Sequence, residues 1–140
     1  MPEESTTPDL VGLARQAYEA VSRGDFDALM SVFAAEAVYD LSEAGLGTYE
    51  GVQAIRRFLE DWDASWDERQ FEEEELVDLG HGVLLHVYRE SGRLVGGDRR
   101  VEQRLAAVAT WANGKIEWLK DYRDIGQARA EAERLAEERA

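Results

Sequence analysis

Asp121 is the residue best placed to do chemistry in this chain. It lies in the segment Gly114-Lys-Ile-Glu-Trp-Leu-Lys-Asp-Tyr-Arg-Asp124, which reads as a strand following a turn. A carboxylate among apolar neighbours tends to have a perturbed pKa and to serve as a general acid or base. Strand alternation puts Leu119 and Arg123 on its face, with Trp118, Lys120 and Tyr122 on the other. The alternative role is structural, through a salt bridge to Arg123 or a hydrogen bond from Tyr39. Other chemistries lack their patterns. His81 and His86 stand on either side of a turn–strand junction, unlike a metal-binding pair. No glycine-rich phosphate loop precedes a helix, and spacing supports no Ser-His-Asp assignment.

The elements that must position Asp121 follow from periodicity. Thr7-Pro8-Asp9 reads as a helix start, with a hydroxyl cap, a proline at the first helical position and an acid near the positive end of the dipole. Leu10, Leu13, Ala14, Ala17, Tyr18 and Val21 recur at helical spacing up to Gly24, which ends the helix, and Asp25 caps the next. Phe26, Leu29, Met30 and Phe33 form a second stripe. Val38 to Leu41 reads as a short strand and Gly45 to Gly51 as a loop. A third helix carries Val52, Ile55, Phe58, Leu59, Trp62 and Trp66 on one side. The period then changes to two, predicting strands at Leu76 to Leu79, Val83 to Glu90, Arg99 to Trp111 and Lys115 to Asp124. Glu72 to Glu75, four consecutive acids, reads as a solvated loop or the start of a strand. Gln127 to Arg139 reads as a surface-docked helix. Three helices followed by a strand meander predict an α+β fold: a curved, mostly antiparallel sheet packed on three N-terminal helices, with a short C-terminal helix. The expected layout is a flexible segment 1–8, a domain 9–126 and the helix 127–140.

Composition narrows the partners. A chain of 140 residues makes one domain, and the absence of cysteine excludes disulfides and thiolate chemistry. The 30 acidic residues against 16 basic give a formal charge of −14, which repels nucleic acid and anionic membranes and favours solubility. No run approaches the ~20 apolar residues of a membrane span. Met1 to Thr7 shows no signal pattern, so the cytoplasm is the expected location.

Three stretches resemble the SnoaL-like branch of the nuclear transport factor 2-like superfamily: RGDFDALMSVFAAEAVYD (Arg23 to Asp40), YEGVQAIRRFLEDW (Tyr49 to Trp62) and NGKIEWLKDYRD (Asn113 to Asp124). The resemblance implies a cone-shaped α+β barrel, commonly a homodimer built on the outer sheet face. It also implies a pocket for a small apolar, polyketide-like or terpenoid-like organic ligand, without a cofactor. Relatives differ in their residue patterns. The ketosteroid isomerase triad is missing, because Ala17, Leu41 and Ala107 occupy its positions, with Tyr18 and Asp40 each one residue out of place. The limonene-epoxide-hydrolase pattern is met at Asp121, Tyr39 and, by carboxylate exchange, Glu90. Its arginine and asparagine positions hold Tyr88 and Leu41, with Arg123 as a conceivable substitute cation. The polyketide cyclase pattern asks for one carboxylate on the last strand, which Asp121 supplies, with His86 facing the same cavity.

The resemblance thus implies Asp121, His86 and Tyr39 as the catalytic group. Leu84, His86, Tyr88 and Glu90 form the inward set of one strand, and Gln103, Leu105, Ala107 and Ala109 that of the next. Tyr18, Phe58 and Trp62 close the wall, so Tyr18, Phe58, Trp62, Tyr88, Glu90, Gln103 and Arg123 are the pocket residues. The resulting expectation is a small-molecule-binding protein that acts as a cofactor-independent isomerase, cyclase or hydrolase. The alternative is a non-catalytic ligand-binding or interaction domain.

Overall fold

A computed structural model describes residues 9–140, and the segment 1–8, with the Thr7–Pro8 helix start, lies outside them. The first helix, α1 (Leu10–Arg23), is capped by Asp9, whose carboxylate accepts the Gly12 N–H. Gly24 ends it in the left-handed conformation (φ 71°), its N–H turned back to the Ala20 and Val21 carbonyls. Asp25 then caps α2 (Phe26–Met30) by accepting the Ala28 N–H.

The predicted second stripe breaks here. Ser31 Oγ donates to the Ala28 carbonyl and closes the helix after one turn, and Phe33 opens a strand, β1 (Phe33–Asp40), instead. Pairing overrides the helical propensity of its alanines, since β1 runs parallel to the strand that carries Asp121. After a 3-10 turn at Ser42–Ala44, the predicted loop contains β2 (Thr48–Glu50), which pairs antiparallel with β1. The third helix, α3 (Val52–Ala64), stops short of Trp66.

Trp66 begins β3 (Trp66–Gly80), a 15-residue strand covering the stretch expected to be a helix end and an acidic loop or strand start. Next come β4 (Val83–Leu94), β5 (Arg100–Ala112), β6 (Lys115–Tyr122) and α4 (Ile125–Arg139). The β4 strand runs on through Ser91 and Gly92, past its expected end at Glu90. At the β5–β6 turn Asn113 and Gly114 take the left-handed φ values of 55° and 75° that an Asn-Gly hairpin requires.

The strand order is β2-β1-β6-β5-β4-β3, and every pairing except β1–β6 is antiparallel. Helices α1, α2 and α3 cover one face, with Ala14, Ala17, Ala20, Leu29, Ile55 and Trp111 in their core. The other face is covered by α4, whose Ala128 and Ala132 sit fully buried on Val83, Leu85, Val87, Ala106 and Val108. Each buried valine or leucine contributes about 1.5–3 kcal/mol. Arg129 pins α4 to Glu75 by a two-pronged ion pair, and Arg139 donates to the His81 carbonyl. The fold is α+β, as the sequence predicts.

Candidate functional site

Register places the chemistry. His86 pairs with Ala107 and Ala107 with Asp121, so the three form one row across β4, β5 and β6. Alternation then aims Tyr88, Glu90, Gln103 and Leu105 at the same interior, under α1 and α3. Two chambers lie between sheet and helices and share Tyr39 and Leu59 as a common wall. One, of about 160 Å³, is edged by Asp121, Glu90, Gln103, Tyr88, Phe58 and Trp62. The other, of about 80 Å³, is almost wholly hydrocarbon, with Tyr18, Tyr39 and His86 as its polar groups.

Asp121 is buried. The Tyr39 hydroxyl donates to its Oδ2 at 2.9 Å, while Oδ1 has no hydrogen-bond partner among the described residues. Desolvation raises its pKa from 3.8 to about 7; the Tyr39 hydrogen bond and Arg69 work against the rise and Glu90 adds to it. The same burial, together with Asp121, holds the phenols of Tyr18, Tyr39 and Tyr88 above their ordinary value, so all three remain protonated donors. Tyr39 stands opposite Leu119 on β6, one pair beyond the Val38–Trp118 pair.

The far wall of this chamber is an ion-pair cluster. Glu90, 2% exposed, accepts from Arg69 Nε at 2.7 Å, from Gln103 Nε2 at 2.7 Å and more weakly from Trp62 Nε1 at 3.4 Å. Arg69 Nη1 also reaches Asp63 at 3.0 Å, and its guanidinium lies 4.5 Å from the centre of the Phe71 ring. Glu90 is therefore a buried carboxylate held by three hydrogen bonds. Breaking such a pair on one side leaves a buried charge unpaired, which is why these residues hold a fixed wall.

Arg69 is the residue the sequence reading missed. The position expected to hold a substitute cation, Arg123, lies past the end of β6, is exposed and makes no ion pair among the described residues. It borders the chamber only at its rim. Arg69 had a signal in the alternation of Arg69, Phe71 and Glu73. Assigning Trp66 to a helix and beginning the strand only at Leu76 hid it.

His86 is the second correction. It is buried in the row of Asp121, but a whole strand separates them, about 10 Å between Cα atoms. Its Nε2 instead lies 3.4 Å from Glu73 Oε1, on the side of an open groove between α1 and β3. Burial lowers its pKa, and Glu73 opposes this. Tyr18 stands edge-on to it, ring centres 4.2 Å apart. Of the expected catalytic group, Tyr39 and Asp121 are joined and His86 is not. Among the described residues no three His, Cys, Asp or Glu side chains converge as metal ligands. No helix among them is long and apolar enough to cross a membrane.

Residues 14–118 match the SnoaL-like domain family. An NTF2-like protein of unknown function from Burkholderia pseudomallei is 20% identical, with a TM-score of 0.74 over 86% of this chain and 95% of that one. A protein from Catenulispora acidiphila with a ketosteroid isomerase-like fold, in complex with trimethylamine, is 19% identical (TM-score 0.72; 91% and 94% covered). TerC, co-crystallised with polyporic acid, is 17% identical (TM-score 0.71; 89% and 98% covered). No curated protein matches the chain.

Proposed function

The chain belongs to the SnoaL-like domain family, and from that premise we propose that it binds a small, largely apolar organic molecule and acts on it with Asp121 as general acid/base. One observation carries this reading: a buried carboxylate with one oxygen fixed by Tyr39 and the other unpartnered among the described residues. A group with a pKa of about 7 is ionised and protonated in comparable amounts near neutrality, the best state for a residue that must both take and return a proton. Ionised, it removes a proton from a carbon beside a carbonyl, or from a water. Protonated, it returns that proton to the product. The phenols of Tyr88 and Tyr18, held protonated, are the donors available to an oxygen that gains negative charge. The Arg69–Glu90–Gln103 cluster, already internally paired, orients rather than reacts. Isomerisation, cyclisation and hydration all reduce to this proton transfer, and it calls for no cofactor.

The polyporic acid held by TerC and the trimethylamine held by the Catenulispora protein support a ligand chamber in this fold. A non-catalytic binding protein is the second reading, favoured by the hydrocarbon lining of the smaller chamber. We place the protein in the cytoplasm. We also expect a homodimer through the part of the outer sheet face that α4 leaves open, around Arg89, Arg104 and Glu74.

A thermal-shift metabolite screen on wild type and Asp121→Asn tests the enzymatic reading. A hit that wild type converts and the variant only binds supports it. A hit whose binding and turnover survive the substitution removes Asp121 from the mechanism.

A further inference from the structure

The charged residues that border the chamber of Asp121 are Arg69, Glu90, Asp121 itself and Arg123. Arg69 and Glu90 are already paired: Arg69 Nε donates to Glu90 at 2.7 Å, and its Nη1 reaches Asp63 at 3.0 Å. Together they present little net charge to a ligand. Asp121 is the proposed acid/base, and Arg123 is left over. It is exposed at the chamber's rim and makes no ion pair or hydrogen bond among the described residues. The acids around it are committed elsewhere. Asp124 accepts the Gln127 N–H and caps α4, while Asp40 and Glu43 face Lys120. Arg15, on the outer groove, is tied to Glu73. Of the arginines beside these cavities, Arg123 alone keeps its charge free of a described partner.

Its position limits what can use that charge. Arg123 follows Asp121 by two residues, which sets their Cα atoms roughly 7 Å apart at about 3.3 Å per residue. A ligand whose reacting carbon meets Asp121 therefore passes the guanidinium with a group about three or four bonds away. Between the two ends the wall is apolar, with Leu41, Leu46, Phe58 and Leu105. One planar guanidinium matches one carboxylate, two parallel N–H donors meeting two oxygens. A phosphate dianion asks for more cations than this rim supplies, and an ammonium group would meet Arg123 as a like charge.

We propose that Arg123 is a specificity-determining residue that takes a carboxylate of the ligand at the chamber's rim. The ligand class is then a small organic acid: an apolar body, a carbonyl or enol beside Asp121, and a carboxylate about three or four bonds from the reacting carbon. This deepens the reading of Asp121 as the reacting group and rests on it for the ligand's inner end. Because Arg123 is exposed, the pair forms in a high dielectric, so its contribution is modest and screened by salt. It selects among ligands more than it tightens any one of them.

Two probes that differ only in this group test the proposal by calorimetry: 5-oxo-5-phenylpentanoate and the neutral 5-oxo-5-phenylpentanamide. Wild type should bind the acid about fivefold more tightly than the amide at about 20 mM salt, and about twofold or less at about 500 mM. Arg123→Gln should abolish the preference while leaving amide affinity within about twofold, and Arg123→Lys should keep part of it. Arg57→Gln removes the same charge from an exposed arginine of α3 that borders neither chamber, and should leave the preference intact. Independently of any variant, the Nε resonance of wild-type Arg123 should move on adding the acid and stay in place with the amide. Equal affinity for the two probes, a preference that survives Arg123→Gln, or one lost equally in Arg57→Gln overturns the proposal. If the preference needs Arg123 but deuterium exchange beside the ketone runs equally fast in wild type and Asp121→Asn, Arg123 keeps its role and the Asp121 reading fails. Binding of neither probe overturns both.

Discussion

Replacing Asp121 with asparagine should change how stability depends on pH, by an amount the structure sets. Burial carries the carboxyl pKa from 3.8 to about 7, against the pull of the Tyr39 hydrogen bond. Below about pH 3.8 both folded and unfolded chains hold the proton, and its contribution to stability is complete. Between 3.8 and about 7 the unfolded chain releases the proton and the folded chain keeps it, so stability falls steadily as pH rises. Above about 7 both states are ionised and the contribution is lost. A difference of about three pH units, at about 1.4 kcal/mol each, is on the order of 4 kcal/mol. Asparagine cannot ionise and keeps an oxygen to accept from Tyr39. Urea unfolding of both proteins from about pH 4 to pH 8 isolates the effect, because every other titrating group cancels in the difference. The stability of Asp121→Asn relative to wild type should rise by roughly 4 kcal/mol across the range. Parallel curves, or a relative stability that falls with pH, would refute a desolvated carboxyl at this position, and with it the proton-transfer proposal.

Other perturbations give further expectations. Tyr39→Phe removes the one hydrogen bond to Asp121, worth about 1.5–3 kcal/mol to a charged acceptor, and should lift its titration about one to two pH units. Carbon-13 NMR of the labelled carboxyl reads this directly, and an unmoved midpoint would deny the bond. Arg69→Met should cost about 3–5 kcal/mol in chemical denaturation by stranding Glu90, and the Arg69→Met/Glu90→Gln pair should cost less than Arg69→Met alone. A double variant at least as unstable as the single would show the two are not coupled. Ala132→Glu places a charge where α4 meets the sheet and should speed amide exchange over residues 125–139 while α3 stays protected. Equal loss of protection everywhere would mean that α4 does not open separately.

The Gly24 stop, the Asp25 cap, the Asn-Gly hairpin and the alternation of β4, β5 and β6 were legible because each is a local pattern with one physical cause, whereas the cap of α1 is Asp9 and not the expected Thr7. Alternation put His86, Tyr88 and Glu90 on one face and Gln103, Leu105 and Ala107 on another, and the family resemblance implied that both faces point inward. What alternation could not show is where a strand slips. In β3, Glu73 pairs with Tyr88 but Leu76 with His86, so an extra residue reverses the parity between the Arg69–Phe71–Glu73 face and Leu76. That bulge, set by the neighbouring strand, broke the alternation before Leu76 and concealed Arg69. Phe33 was lost for a related reason: an alanine-rich run becomes a strand only because β6 lies beside it. His86 and Asp121 looked like a pair because both face inward, and only the intervening β5 separates them.

The long β3 also forms one margin of the sheet, with backbone groups that no neighbouring strand satisfies. Asp67, Glu68, Glu72 and Glu73 to Glu75 line it, whereas the opposite margin is the three-residue β2, too short to template anything. Asp67 and Glu72, which make no ion pair among the described residues, act as a fence against another chain adding itself to the sheet, while Glu68, Glu73, Glu74 and Glu75 are held by arginines. The protection of the two free carboxylates is electrostatic, so it should fade in acid, where they are discharged. Loss of colloidal stability there would begin at this margin, before the interior has unfolded.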